Sequence, residues 1–390
     1  MPVSNAWQQR LAAARDERQQ SQRWRTRQPM ASGASGSSLD FAGNDYLGLA
    51  HNPRVIEAQA EGARRYGAGA GASHLVSGHL EVHDALEDAL AQWTGRERAL
   101  LFSTGYMANL GVLQALADRH TAIFQDRLNH ASLIDGSALS GARSRRFHHR
   151  DTHDLERLLS RSESRHKLVV SDGVFSMDGD VADIASLARL SQQHGAWLMI
   201  DDAHGVGVLG DNGSGCVGGV SSQDVPILVG TLGKALGTAG AFVAGDAELI
   251  EHLIQFSRSY IYTTAQPPAI AAATLKALDI VQNEPEQRAN LNANIAYFRH
   301  EALHLGLPLG RSDTPIQPLI LGDEARTLRW AMYLKQQGLH VGAIRPPTVP
   351  KGESRLRITL SARHQRDEID QLLAALNQCQ SNEASCLPSA

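Results

Sequence analysis

From about residue 97 the chain repeats one rhythm, and that rhythm restricts the folds open to it more than any other feature. Short β-type runs alternate with amphipathic helical windows. The runs are RALLF (98–102), TAIFQD (121–126), SRRFHH (144–149), KLVVSDGVF (167–175), WLMIDD (197–202), PILVG (226–230) and AFVAG (241–245). Windows with helical spacing lie between most of them, at 107–117, 151–159 and 183–194. Alternation of this kind predicts an α/β unit, a mostly parallel seven-stranded sheet covered by helices on both faces. In such sheets ligands gather at the carboxyl ends of the strands, so the loops that follow the runs are the first places to look for chemistry.

Near residue 246 the rhythm changes. Long helical windows at 269–282 and 286–304 lead into IQPLILG (316–322), a helix near 325–337, HVGAI (340–344), RLRITLS (355–361) and a closing helix over 366–377. The expected organisation is an N-terminal helix and linker over 1–44, a large domain over 45–284 and a smaller α+β domain over 285–390. A length of 390 residues suits two or three units. ASGASGSS (31–38) reads as the linker, and the N-terminal helix is expected to face the body through Trp7 and Leu11.

Composition mainly excludes. A formal net charge of −4 gives no general attraction to nucleic acid or anionic membranes. Cys216, Cys379 and Cys386 form no CxxC pair, so neither a disulfide framework nor a cysteine zinc site is expected. The N-terminus has no apolar signal core, and Asp16 and Glu17 interrupt its arginines, unlike a transit peptide. A cytoplasmic location is the expectation.

Within VGTLGKALGTAG (229–240), Lys234 stands among small and apolar residues. A lysine placed so is either on a surface loop or a reactive amine. Two lookalikes fail. GVGVLG (205–210) follows a strand but runs into DNGSG instead of a helix, and the Lys234 window lacks both the first glycine and the hydroxyl of a Walker loop. STGYMANL (103–110) follows a strand and opens a helix; its hydroxyls and free N–H groups make either a simple cap or a phosphate cradle. WLMIDDAHG (197–205) brings Asp201, Asp202 and His204 to a strand's carboxyl end. Those acids suit a salt bridge, a metal or the protonated nitrogen of a heterocycle, but no cysteine or histidine set is apparent to complete a metal site. His130, after another run, can cap a helix or stack on a ring, and Arg355 and Arg357 share one face of a strand. A phosphate cradle, an acid for a ring nitrogen and a lysine for an aldehyde together describe pyridoxal 5′-phosphate.

These residues resemble the α-oxoamine synthases, a family within the fold-type-I pyridoxal-phosphate enzymes. The markers are NDYLGLA (44–50), HLVSGHLEVHDALE (74–87), DRLNHAS (126–132), SDGVFSMDGD (171–180), DDAHGVGVLG (201–210), TLGKALG (231–237) and RPPTVPKGESRLRITLS (345–361), and they span nearly the whole chain. The resemblance implies that Lys234 carries the cofactor and works as acid and base, Asp201 pairs with the pyridine nitrogen, and His130 stacks on the ring. It places His204 and Ser176 near the phenolic oxygen, and Gly105, Tyr106 and Thr231 on the phosphate, with Thr264 reaching in from a partner subunit. Arg357 is similar to the amino-acid carboxylate anchor. Asn44, Thr348 and, less directly, Arg25 correspond to positions near the substrates. A homodimer with a shared active site is implied.

The implied reaction joins an amino acid to an acyl thioester with loss of carbon dioxide. WQQRLAAARDERQQ (7–20), the VSGH context and IRPPTVPKGESRLRITL most resemble the branch of the family that joins L-alanine to a pimeloyl thioester, on coenzyme A or acyl carrier protein. Glycine with acetyl-coenzyme A is the alternative, since TLGKALG also resembles that branch. A non-catalytic module of the same fold is opposed by the joint presence of Lys234, Asp201, His130 and Arg357. His74 and Leu75 stand where many members are richer in glycine.

Overall fold

A computed structural model describes residues 5–21, 23–27, 29 and 39–381 of the chain. Helix α1 (Ala6–Gln20) is followed by β1 (Leu39–Asp40), α2 (Pro53–Tyr66) and α3 (Glu81–Thr94). The alternating part then runs β2 (Arg98–Phe102), α4 (Gly105–Leu116), β3 (Thr121–Asp126), α5 (Ala131–Leu139), β4 (Arg143–Phe147), α6 (Thr152–Ser160), β5 (His166–Asp172), α7 (Ile184–Gln193), β6 (Trp197–Asp201), β7 (Ile227–Thr231) and β8 (Ala241–Gly245). After it come α8 (Ala247–Phe256), α9 (Arg258–Ile261), α10 (Pro268–Asn283) and α11 (Glu286–His304). The chain closes with β9 (Ile316–Gly322), α12 (Glu324–Gln336), β10 (Leu339–His340), β11 (Gly342–Ile344), β12 (Ser354–Thr359) and α13 (Arg366–Ser381).

Seven strands form one sheet in the order β2-β8-β7-β6-β5-β3-β4. Only β8 runs against its neighbours. The interior strands are buried over most of their length, as expected when helices cover both faces; Trp197, at the start of β6, is exposed. Alternate residues serve opposite faces: Leu100, Ile123, Val170 and Met199 pack with α4 and α8, whereas Leu101, Phe124, Val169 and Ile200 pack with α3, α6, α7 and α10. At one edge, β4 exposes Arg143, Arg145 and Arg146, and charge of this kind discourages pairing with another chain. A second, three-stranded antiparallel sheet has β12 at its centre, between β11 and β9.

Several expectations need correction. KLVVSDGVF ends as a strand at Asp172, because Gly173 starts a tight excursion in which Val174 bridges Val181. SRRFHH shifts to 143–147: His148 and His149 leave the ladder for carboxylates, Asp154 for one and Asp126 and Asp180 for the other. HVGAI divides, since β10 pairs with β1 while β11 pairs with β12. Trp7 and Leu11 do not face the body; they are 66% and 67% exposed, and α1 buries no residue. The stretch 31–38 and Cys386 lie outside the described residues. No helix among the described residues is long and apolar enough to cross a membrane.

Candidate active site

Lys234 sits in the loop after β7. Leu232 donates its amide N–H to the Gly240 carbonyl at 2.9 Å, and Gly237 donates to the Lys234 carbonyl at 2.9 Å, so the loop closes on itself. Gly237 has φ +67°, and a Cβ there would overlap the backbone of Leu49 and Ala50. Glycine is therefore needed twice over, for the turn and for close approach to NDYLGLA. That contact brings the 44–50 segment against the lysine loop.

From Lys234 a chain of polar contacts runs through the protein. Its Nζ lies 3.0 Å from His204 Nε2, and His204 Nδ1 lies 2.7 Å from the Tyr46 hydroxyl. Tyr46 donates to Asn44 Oδ1 at 3.2 Å, and Arg357 Nη2 donates to the same oxygen at 3.1 Å. Arg357 Nε donates to the Ser176 carbonyl at 2.6 Å, and Nη1 to Thr359 Oγ1 at 3.2 Å. Tyr46, His204 and Arg357 are buried, and Lys234 is half-buried. Burial and the neighbouring cations Lys234 and Arg357 hold the His204 imidazole well below its ordinary range, so it is neutral. Burial also lowers the Lys234 amine, against the pull of Asp201 and Asp172. Burial pushes the Tyr46 phenol up to about 12.

A second branch starts at Asp201, at the carboxyl end of β6. Its Oδ1 accepts the Ala203 amide at 3.0 Å and its Oδ2 accepts Asn109 Nδ2 at 2.6 Å. Asn109 also donates to Ser132 Oγ at 2.8 Å, which lies 2.7 Å from His130 Nδ1. The His130 amide donates to Asp172 Oδ2 at 2.7 Å. His130 itself is exposed on the wall of a cleft, and partial burial of the imidazole lowers its pKa despite the attraction of Asp201. Asp172 lies fully inside, and burial together with the Asp201 charge raises its carboxyl well above the usual range.

Helix α4 opens toward the same strand ends. Thr104 Oγ1 accepts the Met107 amide at 3.1 Å, and the Thr104 carbonyl accepts the Ala108 amide at 3.0 Å. Among the described residues no acceptor meets the Gly105 or Tyr106 N–H, and nothing lies within 4 Å of where a Gly105 Cβ would stand. Two unpaired amides, a helix N-terminus and empty space make an anion cradle. The Tyr106 hydroxyl turns away to Asp135. Thr231 Oγ1 donates to the Gly240 carbonyl at 3.1 Å and accepts the Gly233 amide at 3.4 Å, which leaves one lone pair for another donor. A lysine amine, a buried carboxylate held by an amide and an open cradle are the three groups that pyridoxal phosphate requires, so the residues fit it.

Thus Lys234, His204, Asn44, Ser176 and Arg357 meet in one network, and Asp201 and His130 in another. The two are electrostatically in reach, since His204 feels both His130 and Lys234, and Lys234 feels Asp201. Thr348 lies on the cleft wall with His130 and Ser176. Thr264 is exposed, bridging Ser73 across from Ser103 and Tyr260. Arg25 is exposed and joins neither network. Sequence reasoning missed Tyr46, Asn109, Ser132 and Asp172, although each lies inside a quoted motif. Arg355 and Arg357 are both buried in β12, the central strand of the small sheet.

The aminotransferase class I and II family model matches residues 37–376. The chain is 66% identical over 384 residues to a protein of Chromohalobacter salexigens named 8-amino-7-oxononanoate synthase, covering 98% of this chain and 99% of that one. Among solved structures it resembles SPT with PLP at a TM-score of 0.90 and 29% identity, over 98% of this chain and 99% of that one. It also resembles 8-amino-7-oxononanoate synthase of Francisella tularensis at a TM-score of 0.78 and 32% identity, over 89% of this chain and 99% of that one.

Proposed function

The chain belongs to the class I and II aminotransferase family, and from that premise we propose how it acts as a pyridoxal-phosphate-dependent α-oxoamine synthase. It condenses L-alanine with a pimeloyl thioester to give 8-amino-7-oxononanoate, carbon dioxide and free thiol, a step of biotin biosynthesis. The observation that carries the residue assignment is the Lys234–His204–Tyr46–Asn44–Arg357 chain beside the Asp201–Asn109 pair. We read the chain as three segments, 1–44, 45–284 and 285–390, and place it in the cytoplasm.

In this reading Lys234 holds the cofactor aldehyde, Asp201 keeps the ring nitrogen protonated, and His130 covers a ring face. The α4 N-terminus at Gly105 and Tyr106, with Thr231, receives the phosphate; Ser176 and His204 border the phenolic side. When bound, the cofactor supplies an electron-accepting pyridinium ring. Every remaining task falls to side chains. Arg357 fixes the alanine carboxylate. Its present partners are all neutral oxygens, so its positive charge is uncompensated among the described residues. Arg355, by contrast, is already paired with Asp178 and Glu353. Lys234, with its pKa lowered by burial, takes the proton from the alanine α-carbon. His204 and Tyr46 hold its amine in place. The cleft lined by His130, Ser176, Met177 and Thr348 is the thioester's approach, with Arg127, Arg146 and Arg311 on its walls to attract an anionic carrier. Thr264 acts from a partner subunit, and Asn44 and Arg25 border the substrates.

The test offers purified holoenzyme L-alanine or glycine with pimeloyl, acetyl and succinyl thioesters and identifies the aminoketone by mass. The expected product is 8-amino-7-oxononanoate with one equivalent of carbon dioxide. Preference for glycine and acetyl-coenzyme A would defeat the assignment. Borohydride reduction followed by peptide mapping is expected to leave the cofactor on Lys234; attachment elsewhere would defeat the residue roles.

A further inference from the structure

Away from the lysine network, three histidines of HLVSGHLEVH converge although their sequence spacing matches no common zinc signature. His74 begins a π-turn (His74–Gly78), His79 follows it, and His83 lies in the first turn of α3. Their ring centres stand 5.0, 5.3 and 5.4 Å apart, nearly an equilateral triangle. One potential ligand atom from each lies within 4.8 Å of the others. A tetrahedral zinc-type ion about 2.05 Å from each nitrogen sits about 3.2 Å from each ring centre, which places the rings about 5.2 Å apart. The observed triangle has that size.

The outer partners are those of metal-ligating histidines. His79 Nε2 meets Asp84 Oδ1 at 2.8 Å, which keeps the proton on Nε2 and leaves Nδ1 as a lone pair. His83 Nε2 donates to the Gln266 carbonyl at 2.9 Å, so its Nδ1 is also unprotonated. His79 Nδ1 faces His74 Nδ1 at 2.7 Å, where a single proton is shared. His74 is stacked on Tyr260, with ring centres 5.1 Å apart and planes 12° from parallel. His74 and His79 are only partly buried and Asp84 is exposed, which leaves a path inward from solvent.

We propose that His74, His79 and His83 form a binding site for a divalent zinc-class cation, with a water in the fourth position. On binding, the His74 proton moves from Nδ1 to Nε2 and the 2.7 Å contact opens to about 3.3 Å. His83 exchanges the Leu80 amide, now accepted by its Nδ1 at 2.9 Å, for the ion. No net proton is released. The ion would tie the π-turn to α3 and, through stacked Tyr260, to α9, beside the Ser73–Thr264 bridge.

Untagged holoenzyme, stripped with chelator, is titrated with Co²⁺ and then Zn²⁺. One Co²⁺ per chain is expected, with the intense visible bands of four-coordinate cobalt, displaced stoichiometrically by Zn²⁺. His74→Ala and His79→Ala should each weaken binding by about tenfold or more. His300→Ala, at an exposed position on α11, should leave it unchanged. Wild-type crystals soaked in zinc should give an anomalous peak between the three rings, a result that does not depend on any variant folding. Weak octahedral cobalt bands, unaltered binding in both variants, or no peak at that position at saturating zinc would each overturn the site.

Discussion

At the scale of single residues, the direction of hydrogen bonds along Lys234–His204–Tyr46–Asn44 depends on the charge of one amine. When Lys234 is an ammonium it donates to His204 Nε2, His204 donates from Nδ1 to Tyr46, and the phenol donates to Asn44. When the amine is neutral, Tyr46 can instead donate to His204 Nδ1. The phenol can serve both states because burial keeps it protonated, with a pKa near 12. Tyr46→Phe removes that choice and leaves His204 Nδ1 buried without a partner. It should lower kcat about tenfold while KM for alanine changes little, read from steady-state rates. Arg357→Lys makes the opposite split. A lysine keeps the charge but loses the planar fork that now spans Ser176, Asn44 and Thr359. KM for alanine should rise about tenfold or more, and an unchanged KM would remove Arg357 from the carboxylate.

At the scale of elements, the excursion between β5 and β6 carries Ser176 and Asp178 over the site, and its base is clamped by His149. That ring sits between Asp126 at 3.0 Å and Asp180 at 2.9 Å, edge-on to Phe175. Burial pulls the imidazolium pKa down, but the two carboxylates, Asp126 first, outweigh it and lift it to about 9. Because the folded value lies above the ordinary histidine value of about 6.5, the stabilisation is complete below that pH and is lost as pH rises through about 9. His149→Gln should therefore be less stable than the parent at pH 6 and approach it by pH 10, measured as urea midpoints at both. An equal loss at both would deny the charge a part. Much of this layout was legible beforehand. RALLF, TAIFQD and AFVAG are strands with the bounds their apolar runs imply, and Lys234, Asp201 and Arg357 stand near strand ends or on a strand as spacing suggested. Periodicity could not show that His148 turns to Asp154 of the next helix, or that His149 reaches Asp126 and Asp180, 23 and 31 residues away. Nor could it show that Tyr46 and Asn109 turn inward to hold His204 and Asp201.

At the scale of the molecule, the apolar residues left outside raise the question that the fold of one chain does not answer. Val76 is 79% exposed and Tyr262 is 72% exposed, with Leu75 and Tyr106 also at the surface. All four belong to segments around the α4 N-terminus and the Ser73–Thr264 bridge. An apolar surface beside a catalytic cradle is what a two-fold subunit contact would cover. The reading of Trp7 and Leu11 as body-facing failed for a related reason: an apolar side chain signals a need for cover without saying which surface supplies it. If Thr264 serves the partner's cradle, each active site draws on two chains, and two inactive variants can repair one another. Lys234→Ala removes the amine of its own site, and Thr264→Glu places a negative charge against the phosphate of the other. In a mixed dimer both lesions fall on one site and the second is intact. Half the dimers in an equal, freely exchanging mixture are mixed, so about a quarter of wild-type activity should return. The mixture's mass by light scattering should be near twice 42.1 kDa. No recovery from a mixture shown by mass spectrometry to contain mixed dimers would confine Thr264 to its own subunit.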